Sequence, residues 1–456
     1  MRFSRDLIPA LIGVVATGLV VLIPVGLALL VCYRYLSWWR RTWSFDGTVL
    51  RFDSGVLSRN ERRLPADRIQ QVDIIRKLRH QVLGLAVLRV ETAGGSGGAE
   101  VELDAIDHRQ AVALRADLLG ARDRACADGR IAEDGVAEVR REPTQPLVRL
   151  GVARLALAGV TGAQLLVMLT AVAWLSQVVD DVPDRLLGRV APDDVAIAGP
   201  VAIGAAVLAG VAIWLGLAAL TAVLTWYGLT VTRVGDELHV ARGLFERREG
   251  VIPRHRVQVV RIQQGLLRRP FGGYAMRIQS AGGASGEAAK AAIPLLTAVE
   301  VDRLLGEIAP GVELPTLQPP PLAARRRAVV RRAGAAAALA APLWLLGPAG
   351  TLGWGVLVGL GVVWGVDAYR GLGHGWVPTP AGAVLVARTG SVVRETTVTP
   401  VAKAQSARVT SSPRQRRAGL ASVLVDVAGR GDAPRVADEG RTVALAVLAD
   451  VIGEER

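Results

Sequence analysis

The sequence predicts an α+β chain in which long apolar helices alternate with three copies of one small, strand-rich domain. Three observations carry that prediction. Half of the 456 residues are hydrophobic and gather in long blocks, where a water-soluble chain would spread them along amphipathic elements. The segments between the blocks repeat. Each repeat alternates like strands and closes on a helical pattern.

The apolar blocks come first. A bilayer core about 30 Å thick takes roughly 20 apolar residues in helix. The run from Leu7 to Cys32 carries no charge and is followed by Trp38, Trp39, Arg40, Arg41 and Trp43, the residues favoured at a lipid–water interface on the cytoplasmic side. It is too long for a secretory leader and has no small-residue cleavage site before the tryptophans, so an uncleaved anchor is expected. Blocks at about 155–179 and 195–225 flank a loop holding Asp180, Asp181, Asp184, Arg185, Arg189, Asp193 and Asp194, with Arg149 and Arg154 before the first and Arg233 after the second. An acidic turn with basic flanks reads as a helical hairpin whose turn faces outside. In the fourth block Arg325, Arg326, Arg327, Arg331 and Arg332 lead into residues 333–346, a Gly-Pro-Ala-Gly break and residues 351–366. We read a short hairpin turning at Pro348, its arginines snorkelling at the cytoplasmic face. A single tilted helix is the alternative and would place the last domain outside.

The repeats follow. Gly55, Gly243 and Gly390 each precede a proline by ten residues: Pro65, Pro253 and Pro400. A base stands three further on (Arg68, Arg256, Lys403) and a glutamine two beyond it (Gln70, Gln258, Gln405). Fourteen residues later comes Gly84, Gly272 or Gly419, and each copy closes on Ala-Gly at 93–94, 281–282 and 428–429. Such a gapless match over three copies marks an internal repeat. Within each copy, alternating apolar residues between glycine turns read as strands. The proline suits a strand end, since it cannot donate to a ladder. Helical patterns close the copies at 107–124, 297–308 and 440–452, the second with Thr297 and Glu300 spaced as a capping box.

The pattern G-x9-P-x2-[RK]-x-Q, then G and Ala-Gly, resembles the bacterial pleckstrin-homology-like (PH-like) domain of the second type. Three such domains alternating with membrane hairpins resemble the YdbT-type membrane proteins. The resemblance covers nearly the whole chain. It implies a multi-pass helical membrane protein with three PH-like split β-barrel domains, each capped by a C-terminal helix. It also implies a membrane-protein partner, such as a smaller protein with one PH-like domain, and for some members a link to antimicrobial resistance. Many relatives carry two spans before the first domain where this chain has room for one, so either the start is late or the N-terminus lies outside. The chain divides into an anchor (1–36), domain 1 (37–128), a linker (129–150), a hairpin (151–226), domain 2 (227–311), a Pro/Arg-rich linker (312–327), a short hairpin (328–368) and domain 3 (374–456). Five spans would put all three domains on the cytoplasmic side.

Charge points to the surface that matters. The net charge is +13, which membrane topology explains better than a nucleic-acid partner. Residues 51–89 carry nine bases and four acids, residues 226–283 ten and four, residues 376–430 eight and two. Bases gather before the late glycine of every copy: Arg76, Lys77 and Arg79; Arg268 and Arg269; Arg414, Arg416 and Arg417. These loops are expected to face anionic lipid head groups or a partner. Arg68, Arg256 and Lys403 either touch such a partner or pair with Glu61, Glu249 and Glu395 nearby. The glycines, prolines and glutamines read as structural repeats of a barrel.

Catalysis leaves no mark. The five histidines lack ligand spacing, and no phosphate loop, nucleophile turn or paired zinc histidines occur. No Asp or Glu sits mid-span to carry a proton or ion. Two cysteines, Cys32 and Cys126, cannot frame disulfides or a zinc site. The expected function is a non-enzymatic membrane scaffold without cofactor or metal, binding lipid or protein through its domains. A component of an export or resistance system for a lipid-like compound is the alternative. Self-association stays open.

Overall fold

The computed structural model describes residues 39–55, 59–92, 101–128, 146–162, 192–280, 290–380, 382–428 and 432–453, with residues 28, 32, 33 and 35–37. The anchor at 7–27, most of the span at 155–179, the acidic turn before residue 192 and the Ala-Gly at 93–94 and 281–282 lie outside the described residues. Two compact units are present. One comprises residues 1–69 and 112–136, the other residues 70–111 and 137–456.

The first unit holds an antiparallel sheet in the order β1 (Thr42–Phe45), β2 (Val49–Ser54), β3 (Asn60–Pro65). An aspartate turn joins β1 to β2: the Asp46 carboxylate accepts from the backbone N–H groups of Val49 (2.8 Å) and Thr48 (3.0 Å), which hold its pKa down at about 2. Most of helix α2 (His108–Asp128) belongs to this unit.

The second unit contains β4 (Ile69–Lys77), α1 (Leu78–Val82), β5 (Leu85–Thr92), β6 (Val101–Asp107) and β7 (Val148–Arg149). Helices α3 (Val152–Val160) and α4 (Pro192–Trp226) precede β8 (Thr230–Val234), β9 (Glu237–Arg242), β10 (Glu246–Pro253), β11 (Val257–Gly265), β12 (Tyr274–Ser280), β13 (Lys290–Leu296) and α5 (Ala298–Ile308). Then come α6 (Leu322–Ala340), α7 (Gly347–Arg370), β14 (Gly373–Thr379), β15 (Gly382–Thr389), β16 (Val393–Pro400), β17 (Ala404–Thr410), α8 (Pro413–Arg417), β18 (Leu420–Val427), β19 (Arg435–Gly440) and α9 (Arg441–Ile452).

Among the described residues, three helical segments are long and apolar enough to cross a membrane: Leu208–Trp226, Leu322–Leu345 and Gly347–Arg370. The last two form an antiparallel pair joined by a 3-10 turn at Ala341–Leu346. Glycine lets the pair approach closely. A Cβ on Gly365 would strike the backbone of Val329, and one on Gly361 the methyl of Ala336. Gly159 of α3 packs just as tightly on Ala218 of α4.

Each repeat carries two sets of three strands, separated along the sequence by the recurrent proline. Pro65, Pro253 and Pro400 end β3, β10 and β16 and cap 3-10 turns at 66–68, 254–256 and 401–403. The recurrent glycines take positive φ: Gly55 110°, Gly243 101° and Gly390 102° after one strand, Gly84 70°, Gly272 58° and Gly419 65° before another. Side chains disfavour that region, and a Cβ on Gly243 or Gly390 would also collide with the carbonyl of Glu246 or Val393.

The halves do not stop at repeat boundaries. One sheet runs β6-β5-β4-β10-β9-β8-β7 and another β13-β12-β11-β16-β15-β14, so the second half of each repeat hydrogen-bonds to the first half of the next. Both junctions use one register. Ile74 faces Glu249 in the first and Ile262 faces Thr396 in the second, which are equivalent positions of the repeat. Strand β15 shows the result in section. Val384 and Val386 point into the core of domain 2, while Leu385 and Ala387 point into the core of domain 3. A sheet covered on both faces needs a continuous apolar run, which Ala383–Ala387 supplies.

The helical cap of domain 2 forms as its sequence indicates. The Thr297 hydroxyl accepts from the Glu300 N–H (3.3 Å), and the Glu300 carboxylate accepts from the Thr297 N–H (2.8 Å).

Candidate functional site

The recurrent bases fall into two places. Arg68, Arg256 and Lys403 sit in the 3-10 turns after the prolines. Lys403 Nζ donates to the His255 carbonyl (2.8 Å), tying one corner to the previous one. The pairing expected with Glu61, Glu249 and Glu395 does not form: those carboxylates take Arg63 (2.7 Å), Arg247 (2.9 Å) and Arg261 (2.6 Å). Strand periodicity sets residues two apart on one face, which brings Arg63 to Glu61 and Arg247 to Glu249, while Glu395 meets Arg261 across the ladder from β11. Gln258 is buried, and its amide donates to the Arg256 carbonyl (3.2 Å), stiffening the corner. Gln405 is exposed, and Gln70 lies at the start of β4.

The bases before the late glycine diverge between copies. In domain 1, Arg76 is half-buried opposite Arg247, whereas Lys77 and Arg79 are exposed; Arg79 donates to His80 (3.2 Å). Burial pushes the His80 pKa down, against the opposing pull of Asp104. In domain 2 the expectation of a lipid-facing loop fails. Arg268 is 8% exposed and donates to Thr161 Oγ1 (3.1 Å) and to the Ala158 carbonyl (3.0 Å) of α3, with burial lowering its pKa. Arg269 pairs with Asp367 of α7 (2.8 Å) and donates to the Ser391 carbonyl. Both guanidinium groups are consumed inside the chain, where they join domain 2 to α3 and to the apolar helix α7. Asp367 also takes Arg394 of domain 3 (2.6 Å), and Trp364 Nε1 donates to Ser391 Oγ (2.9 Å).

Domain 3 keeps its bases outside. Arg414, Arg416 and Arg417 lie exposed on or beside α8. Arg414 and Arg417 line a cleft of about 1310 Å³ with Arg326, Arg327 and Arg331 from the foot of α6, together with Ser412. Arg327 is anchored by Asp438 (2.7 Å), which also accepts from Gln415 (2.6 Å). Arg326, Arg331, Arg414 and Arg417 make no ion pair among the described residues. Asp438 adopts φ of 57°, a left-handed conformation that aspartate tolerates better than most side chains, and this turns its carboxylate toward α6. Sequence reasoning treated the α6 arginines only as membrane flanks, because nothing local to them reports that the α8 loop lies across the cleft.

This combination of three strand-rich repeats, proline corners and apolar helices corresponds to a known family. The bacterial PH domain profile matches residues 7–122, 146–311 and 333–451. The chain belongs to the bacterial PH domain family. Within that family it is similar to the UPF0699 transmembrane protein YdbT of Bacillus subtilis (strain 168), at 26% identity over 272 residues, covering 59% of this chain and 55% of that protein. The chain thus spans about half the length of the curated relative it matches. No solved structure matches. Bacterial PH domains on membrane helices are the coarse identity of this protein, and the three-fold repeat read from glycine, proline and base spacing is that of the family.

Proposed function

We propose that this protein is a non-enzymatic scaffold at the cytoplasmic membrane that seats an anionic lipid head group in the arginine-lined cleft of domain 3. The observation that carries this reading is the convergence of Arg326 and Arg331 with Arg414 and Arg417 at the foot of a membrane hairpin, none of them neutralised by a carboxylate of the described chain. Each base near an anionic leaflet contributes about 1 kcal/mol of attraction, and guanidinium groups hold phosphate oxygens in bidentate geometry. The arginine-rich end of the hairpin favours the cytoplasmic side. Domain 2 acts as a connecting module, since its loop bases Arg268 and Arg269 are drawn into contacts with the chain itself.

A thermal melt of the detergent-purified full chain tests this, with phosphatidylglycerol, phosphatidylcholine or inorganic phosphate added. Phosphatidylglycerol should raise Tm and phosphatidylcholine should not, because a ligand of the folded state stabilises it by mass action. A rise with inorganic phosphate alone would make the cleft a site for free anions. The variant R326E/R331E/R414E/R417E should lose the response; if it keeps the full shift, the cleft is not the site.

A further inference from the structure

We infer that domain 3 carries a half-built junction that receives the third strand of a PH-like module from a different polypeptide, one bearing a carboxylate in register with Arg408. The inference rests on the scaffold reading and names its protein partner.

The two junctions within the chain share three features. A strand of the second half (β4 or β11) pairs antiparallel with the third strand of the next repeat (β10 or β16), in the same register. A side chain of the late loop reaches the turn after the next repeat's glycine: Gln81 donates to the Leu244 carbonyl (3.1 Å), and the equivalent Arg269 donates to the equivalent Ser391 carbonyl. Opposite charges meet across the ladder. Arg261 pairs with Glu395 (2.6 Å) in the second junction, and the same two columns hold Asp73 and Arg248 in the first.

Domain 3 presents the first partner of all three features and lacks the second. β17 pairs only with β18 among the described residues, so its other edge is open. Arg416 stands in the column of Gln81 and Arg269 and is exposed. Arg408 stands in the column of Arg261, is exposed and makes no ion pair among the described residues. An open strand edge is a template for strand addition. The chemistry of the occupant follows from the register. Residues diagonal across an antiparallel ladder interact, so the arriving strand needs an acid where β16 has Glu395. This chain's own third strand, β3, offers Asn60 there and would set Arg62 directly opposite Arg408. A second copy is therefore disfavoured by charge.

The experiment places a photo-cross-linking amino acid at Thr410, an exposed β17 position on the same face as Arg408, in the full-length protein in the membranes of its own host. Irradiation should yield an adduct with another polypeptide, mapped by mass spectrometry to a PH-like third strand with Asp or Glu in register. Arg408→Glu should cut adduct yield at least fivefold, while Arg408→Lys retains it and both variants melt like the parent. Absence of an adduct overturns the inference. So does an adduct mapping to residues 60–65 of a second copy, or a yield indifferent to Arg408→Glu. Because this assay reads protein and the cleft assay reads lipid, each proposal can fail alone.

Discussion

Arg268 and Gln415 occupy the same column of the repeat, and both are buried, yet they tie their loops to different things. Arg268 carries its charge to Thr161 and the Ala158 carbonyl at the end of α3, so the late loop of domain 2 becomes a joint between its sheet and a neighbouring helix. Gln415 turns inward to Ser422 (3.0 Å) and Asp438 (2.6 Å) and leaves Arg414, Arg416 and Arg417 facing out. The lesson is that a basic loop in a repeated domain need not do one job. Whether its bases meet lipid or protein depends on what the membrane segments place beside it.

Breaking the domain 2 joint should have the largest effect. Arg268→Met removes charged hydrogen bonds worth about 1.5–3 kcal/mol each and strands a buried carbonyl, so the full chain should lose about 3 kcal/mol, read as a lower Tm in detergent. Asp367→Asn weakens the pairs with both Arg269 and Arg394 and should cost about 2 kcal/mol by the same measure. Gln415→Leu keeps the volume but orphans one Asp438 contact, a loss of about 1 kcal/mol. Arg417→Glu, on the open loop, should stay within about 0.5 kcal/mol of the parent while weakening the response to phosphatidylglycerol. Equal stability losses for Arg268→Met and Arg417→Glu would erase the contrast.

A pH series sharpens it further. The Arg154 guanidinium beside Glu300 (2.5 Å), with help from the Thr297 N–H, holds that carboxyl below its ordinary value of 4.5. A depressed folded pKa means the stabilisation is complete above the unfolded value and is lost as pH falls through the folded one. Domain 2 should therefore loosen from α3 below about pH 4.5, and Glu300→Gln should flatten that part of a Tm-against-pH curve.

Much of this architecture was legible in the residues. Glycines at 55, 243 and 390 and prolines at 65, 253 and 400 recur because a positive φ and a strand end are local demands, visible one position at a time. Thr297 and Glu300 announce their helix for the same reason. The sharing of sheets between repeats was hidden, since strand order depends on partners more than a hundred residues apart, such as Arg261 and Glu395. The apolar run at Ala383–Ala387 held a local hint, because a strand that alternates no polarity must be covered on both faces. Arg268 misled for the opposite reason: a base beside a turn reads as solvated until the helix that receives it is seen.

The two-faced wall formed by β14, β15 and β16 means that this protein cannot be trimmed one bead at a time. Cutting before residue 373 would strip one side from the interior of domain 2, because Val377, Val384, Val386 and Val398 belong to it. A cut at the Pro400 corner would divide the interior of domain 3 instead, since Leu385 and Ala387 lie before it and Val423 and Val425 after it, so gene shortening in such a chain should remove or keep domains 2 and 3 together.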